Sequence, residues 1–238
     1  MSFVVVIPAA GSGTRMGAPI PKTLLEISAD DGGVAATKTI LRWSVERFAK
    51  HRDCSAIVVC VPGDWLERFS QELSGVRAVS VIVGGATRQE SVCLGVEYLA
   101  NELGVSPDSQ VLVHDAARCF LSNEVIEAVL DGVVQHGAVT AAVKVSDSVC
   151  RAAADGSISE YVDRAKLYAV QTPQGFKLTD LLRAHKNAKD ENITALDDAG
   201  LVARLRPVKI VAGDRGNIKV TERGDLPRTA KNSSRPRF

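Results

Sequence analysis

The 238-residue chain contains no apolar run near the ~20 residues that a membrane-spanning helix needs. Its first residues lack the basic stretch, long apolar core and small-residue cleavage site of a secretory leader, so none is expected. The five cysteines, Cys54, Cys60, Cys93, Cys119 and Cys150, are odd in number and scattered, and no C-x-x-C pair occurs. That excludes the common zinc and thiol–disulfide motifs and points to reduced thiols in a cytoplasmic protein, or a plastid stromal one if the chain is processed. Cys60 and Cys93 lie in apolar patterns and read as packing residues. The formal net charge is only +1, so the chain has no bulk attraction for nucleic acid. Any anionic ligand must be met by a local cluster of cations. There is no G-K-[ST], hence no P-loop, and no internal repeat.

What the chain does have is alternation. Short β-rich runs at 3–7, 56–61, 79–83, 111–114 and 138–143 are almost continuously apolar, as strands covered on both faces are. Between them Leu41, Val45, Phe48 and Ala49 share one helical face, as do Val92, Val96, Leu99 and Leu103, and again Val125, Val129 and Val133. Thr87 and Glu90 have the spacing of a capping box. Repeated β–α units predict an α/β fold: a Rossmann-like, mostly parallel sheet with helices on both faces. The whole chain, 1–238, reads as a single domain. From about 146 to 172 the sequence turns polar, and Asp155-Gly156 sits between two short alternating runs. This predicts a protruding β-hairpin arm suited to packing on a second subunit. A helix at 178–185 and a strand at 208–212 follow, and Thr194 and Asp197 are candidate caps for a short helix. The basic end, 228–238, has almost no apolar content and reads as a mobile tail.

The segment "PAAGSGTRMGAPIPK", residues 8–22, follows the first strand, where open α/β sheets bind their ligands. Glycines let backbone N–H groups approach a phosphate, and Arg15 and Lys22 supply positive charge. A dinucleotide fingerprint fails here: the third glycine falls at Gly17, one place late, and Pro19 and Pro21 break the helix that would hold the pyrophosphate. Two readings of the loop stay open, a nucleotidyltransferase loop and a glycine-rich surface turn.

The loop is one of seven segments in order: "PAAGSGTRMG…PK", "GGATRQESV", "VHDAAR", "VDR", "QTPQGF", "LDDA" and "NIKVT". Together they resemble the 2-C-methyl-D-erythritol 4-phosphate cytidylyltransferases of the non-mevalonate isoprenoid pathway. The resemblance implies attack by a polyol phosphate on the α-phosphate of CTP, with loss of pyrophosphate. It implies that Arg15 and Lys22 are catalytic, bracing the charged transition state. Ala9, Ala10, Gly11, Gly13, Gly85, Ala86, Arg88, Ser91, Asp115 and Ala116 are implied for the nucleotide, and Arg118, Ser148, Arg164, Thr172 and Lys219 for the methylerythritol phosphate. It further implies Mg²⁺ without a direct protein ligand, Asp115 reaching it through water, and a homodimer whose exchanged arms carry Ser148 and Arg164 into the other subunit's site. Neither nucleic acid nor membrane is an expected partner.

Some roles stay open. Ser91 suits either a base contact or a bond to its own helix backbone. Arg88 suits either the site or support of its loop, and Asp197 either a cap or the site. His114 reads as a packed residue, and Cys119, where the family has Pro, has no activating partner. "QTPQGF" is expected to close the sugar-phosphate pocket by its shape. The polar insert "SADDGGVAATK", longer than the family's usual turn, is expected to be a surface loop, and the family's usual final helix is missing. Three other functions compete, an NAD-binding oxidoreductase among them. A ribitol-5-phosphate cytidylyltransferase would share the CTP site, and a non-catalytic nucleotide sensor would not need both cations.

Overall fold

The computed structural model describes residues 2–11, 20–30 and 35–225. Arg15, Gly13, Gly17 and the basic end 228–238 lie outside the described residues. The strands are β1 Phe3–Pro8, β2 Glu26–Asp30, β3 Ala35–Thr39, β4 Cys54–Val61, β5 Val79–Val83, β6 Gln110–Val113, β7 Ala138–Lys144, β8 Val149–Ala152, β9 Ile158–Val162, β10 Tyr168–Lys177 and β11 Lys209–Ala212. The helices are α1 Ile40–Ala49, α2 Leu66–Glu72, α3 Arg88–Asn101, α4 Asn123–His136, α5 Leu178–Asp190 and α6 Asp198–Val202.

Seven strands form one sheet in the order β11-β7-β10-β6-β1-β4-β5. The pairs β1–β4, β1–β6, β4–β5 and β7–β11 are parallel, and β10 runs antiparallel to both its neighbours. The near-continuous apolar character of β1 follows from burial on both faces. Phe3, Val5 and Ile7 join the core under α1, α2 and α4, with Phe48, Phe69 and Val129. Val4 and Val6 point the other way, into the core under α3 and α5 with Val96, Leu99 and Leu181. Helix starts follow the expected chemistry: the Thr39 hydroxyl accepts from Arg42 N–H, and Thr87 and Glu90 form a complete capping box. Leu103 lies past the end of α3 and is exposed.

Three expectations need correcting. The insert after Ile27 is not a loop: β2 and β3 pair antiparallel in a hairpin, with Trp43 Nε1 donating to Ile27 O at 3.2 Å and Ile27 buried against Ile40, Trp43 and Val220. The arm is shorter than 146–172. Its hairpin is β8–β9, and from Tyr168 the chain belongs to the central sheet. "QTPQGF" is therefore core strand, with Gln171, Thr172, Gln174 and Phe176 all buried. Its polar letters hid a strand whose pairing slips between Val170 and Gln174, a bulge that accommodates Pro173, which has no N–H to donate. The hairpin turn at Asp155-Gly156, the strand at the chain's far end and the Asp197 cap are as expected; Asp197 accepts from Gly200 N–H at 2.8 Å.

Gly175 marks a close approach of helix to sheet. A Cβ there would lie 2.6 Å from both Val129 Cγ1 and Val133 Cγ2, branched side chains held within α4. Overpacking of this kind costs about 1–3 kcal/mol. Gly175→Ala is accordingly expected to lower the unfolding free energy by that order, read as a lower urea midpoint with an unchanged m value; an undiminished midpoint would mean that α4 shifts without cost.

Candidate active site

In the sheet order β1 sits between β4 and β6: the chain steps from β1 outward through β4 to β5, then crosses back over β1 to β6, so the strand order reverses there. Such a switch point opens a crevice beyond the carboxyl ends of the strands. The crevice here is a cavity of about 310 Å³. Four segments line it: Pro8 to Gly11 after β1, Ala86 to Arg88 with Ser91 at the start of α3, Asp115 to Ala117 after β6, and Lys219 with Thr221 from the segment that follows β11. Lys22 and Thr23, from a short 3₁₀ turn, complete it. The ladder carries on into these loops: Ala9 N–H donates to Cys60 O at 2.7 Å, His114 N–H to Val6 O at 3.0 Å and Val220 N–H to Ala117 O at 2.8 Å.

Of the residues expected from the sequence, the cavity gathers Ala9, Ala10, Gly11, Ala86, Arg88, Ser91, Asp115, Ala116, Lys22 and Lys219. Gly85 stands just behind it. A Cβ on Gly85 would collide with Glu90, so glycine lets the capping box close tightly against the loop. The Ser91 hydroxyl, buried, accepts from Gly85 N–H at 3.1 Å and donates to Thr87 O at 2.8 Å. Its contacts in this structure are with its own loop.

Arg118, Ser148, Arg164 and Thr172 do not line the cavity. Arg118 donates to Asn217 O at 2.7 Å, which ties the "VHDAAR" turn to the "NIKVT" segment. Ser148 and Arg164 are exposed at the base of the arm, where the Arg164 guanidinium donates to Ser146 O. Thr172 supports Asp115 from behind. Its hydroxyl accepts from Asp115 N–H at 3.0 Å and lies 3.2 Å from His114 Nδ1. Across the ring, His114 Nε2 meets Arg118 O at 3.1 Å. A carbonyl only accepts, so Nε2 carries the proton and Nδ1 accepts from Thr172. Burial pushes the His114 pKa down to about 4, so the ring is neutral and structural. Cys119 is also structural: it is buried, and burial pushes its thiol up to about 12.

The electrostatic centre is Asp115. Its Oδ1 accepts from Arg88 Nε at 2.9 Å and its Oδ2 lies 2.7 Å from Lys219 Nζ. Burial alone would raise its pKa. The two cations outweigh burial and hold the carboxyl well below the usual carboxylate range. Lys22 Nζ donates to Val220 O at 3.0 Å, so this lysine is steered by a segment nearly the whole chain away. Sequence reasoning missed Asp198. It is buried, accepts from Arg88 Nη1 at 2.8 Å and sits 3.1 Å from His185 Nε2. The only signal was the second Asp of "LDDA", where attention fell on the first.

A cavity at the switch point of a Rossmann-like sheet, lined by strand-end loops and by lysines beside a buried aspartate, is the layout of a nucleotide-binding enzyme that handles phosphates. Comparison with known proteins narrows this. The family model for 2-C-methyl-D-erythritol 4-phosphate cytidylyltransferase (IspD) matches residues 3–231, and the chain belongs to that family. It is 40% identical to the enzyme of that name from Pelotomaculum thermopropionicum, over 93% of this chain and 90% of the relative. It is 37% identical to the one from Bacillus cereus, over 94% of each. The crystal structure of the Thermus thermophilus cytidylyltransferase superposes with a TM-score of 0.75 at 32% identity, covering 95% of this chain and 96% of that one.

The depressed carboxyl of Asp115 has a consequence for acid stability. An unfolded aspartate has a pKa of about 3.9. Because the folded value lies lower, the contribution is complete above the unfolded value and is lost as pH falls from there toward the folded one. The urea midpoint of Asp115→Asn should lie below that of the wild type at pH 7, and the gap should narrow below pH ~4. A gap independent of pH would contradict the assigned ion pairs.

Proposed function

We propose that the protein transfers the cytidylyl group of CTP to 2-C-methyl-D-erythritol 4-phosphate, releasing pyrophosphate. The observation that carries this reading is the meeting of Lys22, Lys219, Arg88 and Asp115 in one cavity, in a chain of this family. A phosphate oxygen of the polyol attacks the α-phosphorus of CTP. A new P–O bond forms, the bridge to the β-phosphate breaks, and its electron pair leaves on pyrophosphate. Little covalent work falls to the protein, so catalysis is positioning and charge stabilisation. The backbone at Ala9, Ala10 and Ala86 offers paired donors and acceptors for the cytosine edge. Lys22, with Arg15 of the same sequence segment, offsets charge growing on the α-phosphate. Lys219 exchanges part of its contact with Asp115 for the incoming polyol phosphate, and Asp115 turns toward sugar hydroxyls.

Magnesium fits this site in one manner. No group of three His, Cys, Asp or Glu side chains able to hold a metal occurs among the described residues, and both Asp115 oxygens already face cations. An ion carried by the triphosphate, with Asp115 reaching it through water, is consistent with that donor set. Bound there, it would supply neutralisation of the phosphate charge.

Ser148 and Arg164 are exposed and do not line their own chain's cavity, and the arm between them displays Ile158 and Tyr161 to solvent. Both features support a homodimer in which each arm completes the other subunit's polyol-phosphate site. All five cysteines are free, and unpaired thiols suit a reducing, cytoplasmic setting. No helix among the described residues is long and apolar enough to cross a membrane.

Purified protein should release pyrophosphate from CTP with methylerythritol 4-phosphate and far more slowly with ribitol 5-phosphate. Lys22→Ala should lower kcat by about 10²–10³-fold while the protein stays folded; near-normal turnover would remove Lys22 from the reaction centre. Arm exchange has its own test. Lys22→Ala and Arg164→Ala, each inactive, are mixed and re-associated: in a two-fold dimer half the molecules are mixed and each has one intact site, so about a quarter of the wild-type activity should return. A mixture as inactive as its components means that each site draws on one chain.

A further inference from the structure

The cavity ends in a row of ionisable side chains that runs back into the core: Lys219 to Asp115, Asp115 to Arg88, Arg88 to Asp198, and Asp198 to His185 on α5. The mechanism above uses the first three. Asp198 and His185 do not themselves line the cavity, and their side chains are only 1% and 3% exposed. Net stability is a weak reason to keep them. Burying a carboxylate is costly, and apolar residues of similar volume often serve a core as well or better. The geometry suggests another use. Arg88 carries its charge on a planar fork. Asp198 takes Nη1 on one side and Asp115 takes Nε on the other, so the guanidinium is held between two carboxylates and its plane is fixed.

The anchor is itself rigid. Asp198 opens α6, and the start of that helix is tied to the middle of the sheet: Gln174, fully buried on β10, accepts from Ala199 N–H at 2.9 Å and donates to Asp197 Oδ2 at 2.9 Å. His185 closes the far side of Asp198 at 3.1 Å, so the carboxylate has no room to rotate.

We infer that Asp198 is a positioning residue for cytidylyl transfer, which holds the Arg88 guanidinium away from the phosphates and aimed at Asp115. Released, Arg88 would be a mobile cation beside a triphosphate and would compete with Lys22 and Lys219 for its oxygens. Asp115 would lose its fixed partner and its orientation toward the sugar. The inference rests on the reading of the site as a cytidylyltransferase.

A double-mutant cycle tests it. Wild type, Asp198→Asn, Arg88→Gln and the double variant are assayed for pyrophosphate release, with the folded fraction of each measured by circular dichroism and CTP binding by the shift in Tm. Small misplacements of a site can cost about 10²-fold, so Asp198→Asn should lower kcat/KM per folded molecule by about 10–100-fold in the wild-type background. In the Arg88→Gln background the same change should cost less than about threefold, since the group it acts through is gone. Equal losses in both backgrounds, or a loss matching the unfolded fraction, would overturn the inference. If Asp198→Asn does not fold, Asp198→Glu takes its place in the cycle, keeping the charge and moving the fork, and the same two outcomes decide. Wild-type protein that binds CTP but turns over no polyol phosphate would instead refute the reading of the reaction itself.

Discussion

Gln174 is fully buried near the middle of the sheet, and its amide is satisfied in both directions: Nε2 donates to Thr140 Oγ1 at 3.1 Å and to Asp197 Oδ2 at 2.9 Å, and Oε1 accepts from Ala199 N–H. A buried amide without partners costs about 1–3 kcal/mol per unmet group, so this one specifies how three elements meet. It lies on β10, the one antiparallel strand of the central sheet. Two residues earlier on the same strand Thr172 supports the backbone of Asp115, and one residue later Gly175 admits α4. The strand that follows the arm is thus also the strand that sets the aspartate of the cavity and the start of α6, where Asp198 holds Arg88. Arm, sheet and site are coupled through ten residues.

The same logic explains how a nearly neutral protein concentrates positive charge on one ligand. Arg88, Lys22 and Lys219 converge on the cavity, but none of the three points freely into it. Arg88 is divided between two carboxylates, Lys219 is held by one of them, and Lys22 leans on a carbonyl. Lys22 and Lys219, already held in place, need less reorganisation when a phosphate arrives than solvated cations do, which is the basis of electrostatic preorganisation, while Arg88 is kept on Asp115. The buried acids therefore serve the anion site by restraining its cations, at some cost in net charge.

Much of this was legible in the letters. Residues 79–83 read as a strand because four of the five are β-branched and apolar and the fifth is a small serine, and the helix after it because Thr87 and Glu90 stand three apart. The cavity residues were found where chemistry is local: glycines next to a strand end, a lysine after a proline, an aspartate closing an apolar run. What escaped notice was non-local. Gln171, Thr172 and Gln174 are polar yet internal, because each has a partner from a distant segment, and no periodicity records that. The hairpin after Ile27 escaped because its packing comes from Trp43 and Val220, outside the insert. Asp198 escaped for the same reason: its meaning lies in Arg88, more than a hundred residues upstream.

This distance has a physical consequence. Lys22 meets the carbonyl of Val220, and Val220 in turn pairs with Ala117, so the first, middle and last parts of the described chain close on one point. Each segment alone is a short loop with no core of its own, and each of its motifs is individually weak evidence. The site exists only once the sheet has ordered all of them, so its geometry is protected by the cooperative stability of the whole domain, and local loosening of any one segment is opposed by the other two. A loop-borne site would otherwise sit at the least stable edge of the fold. Here the loops are clamped to one another behind the cavity, through Thr172, Asn217 and Val220, while the face toward the ligand is left to backbone and restrained charge.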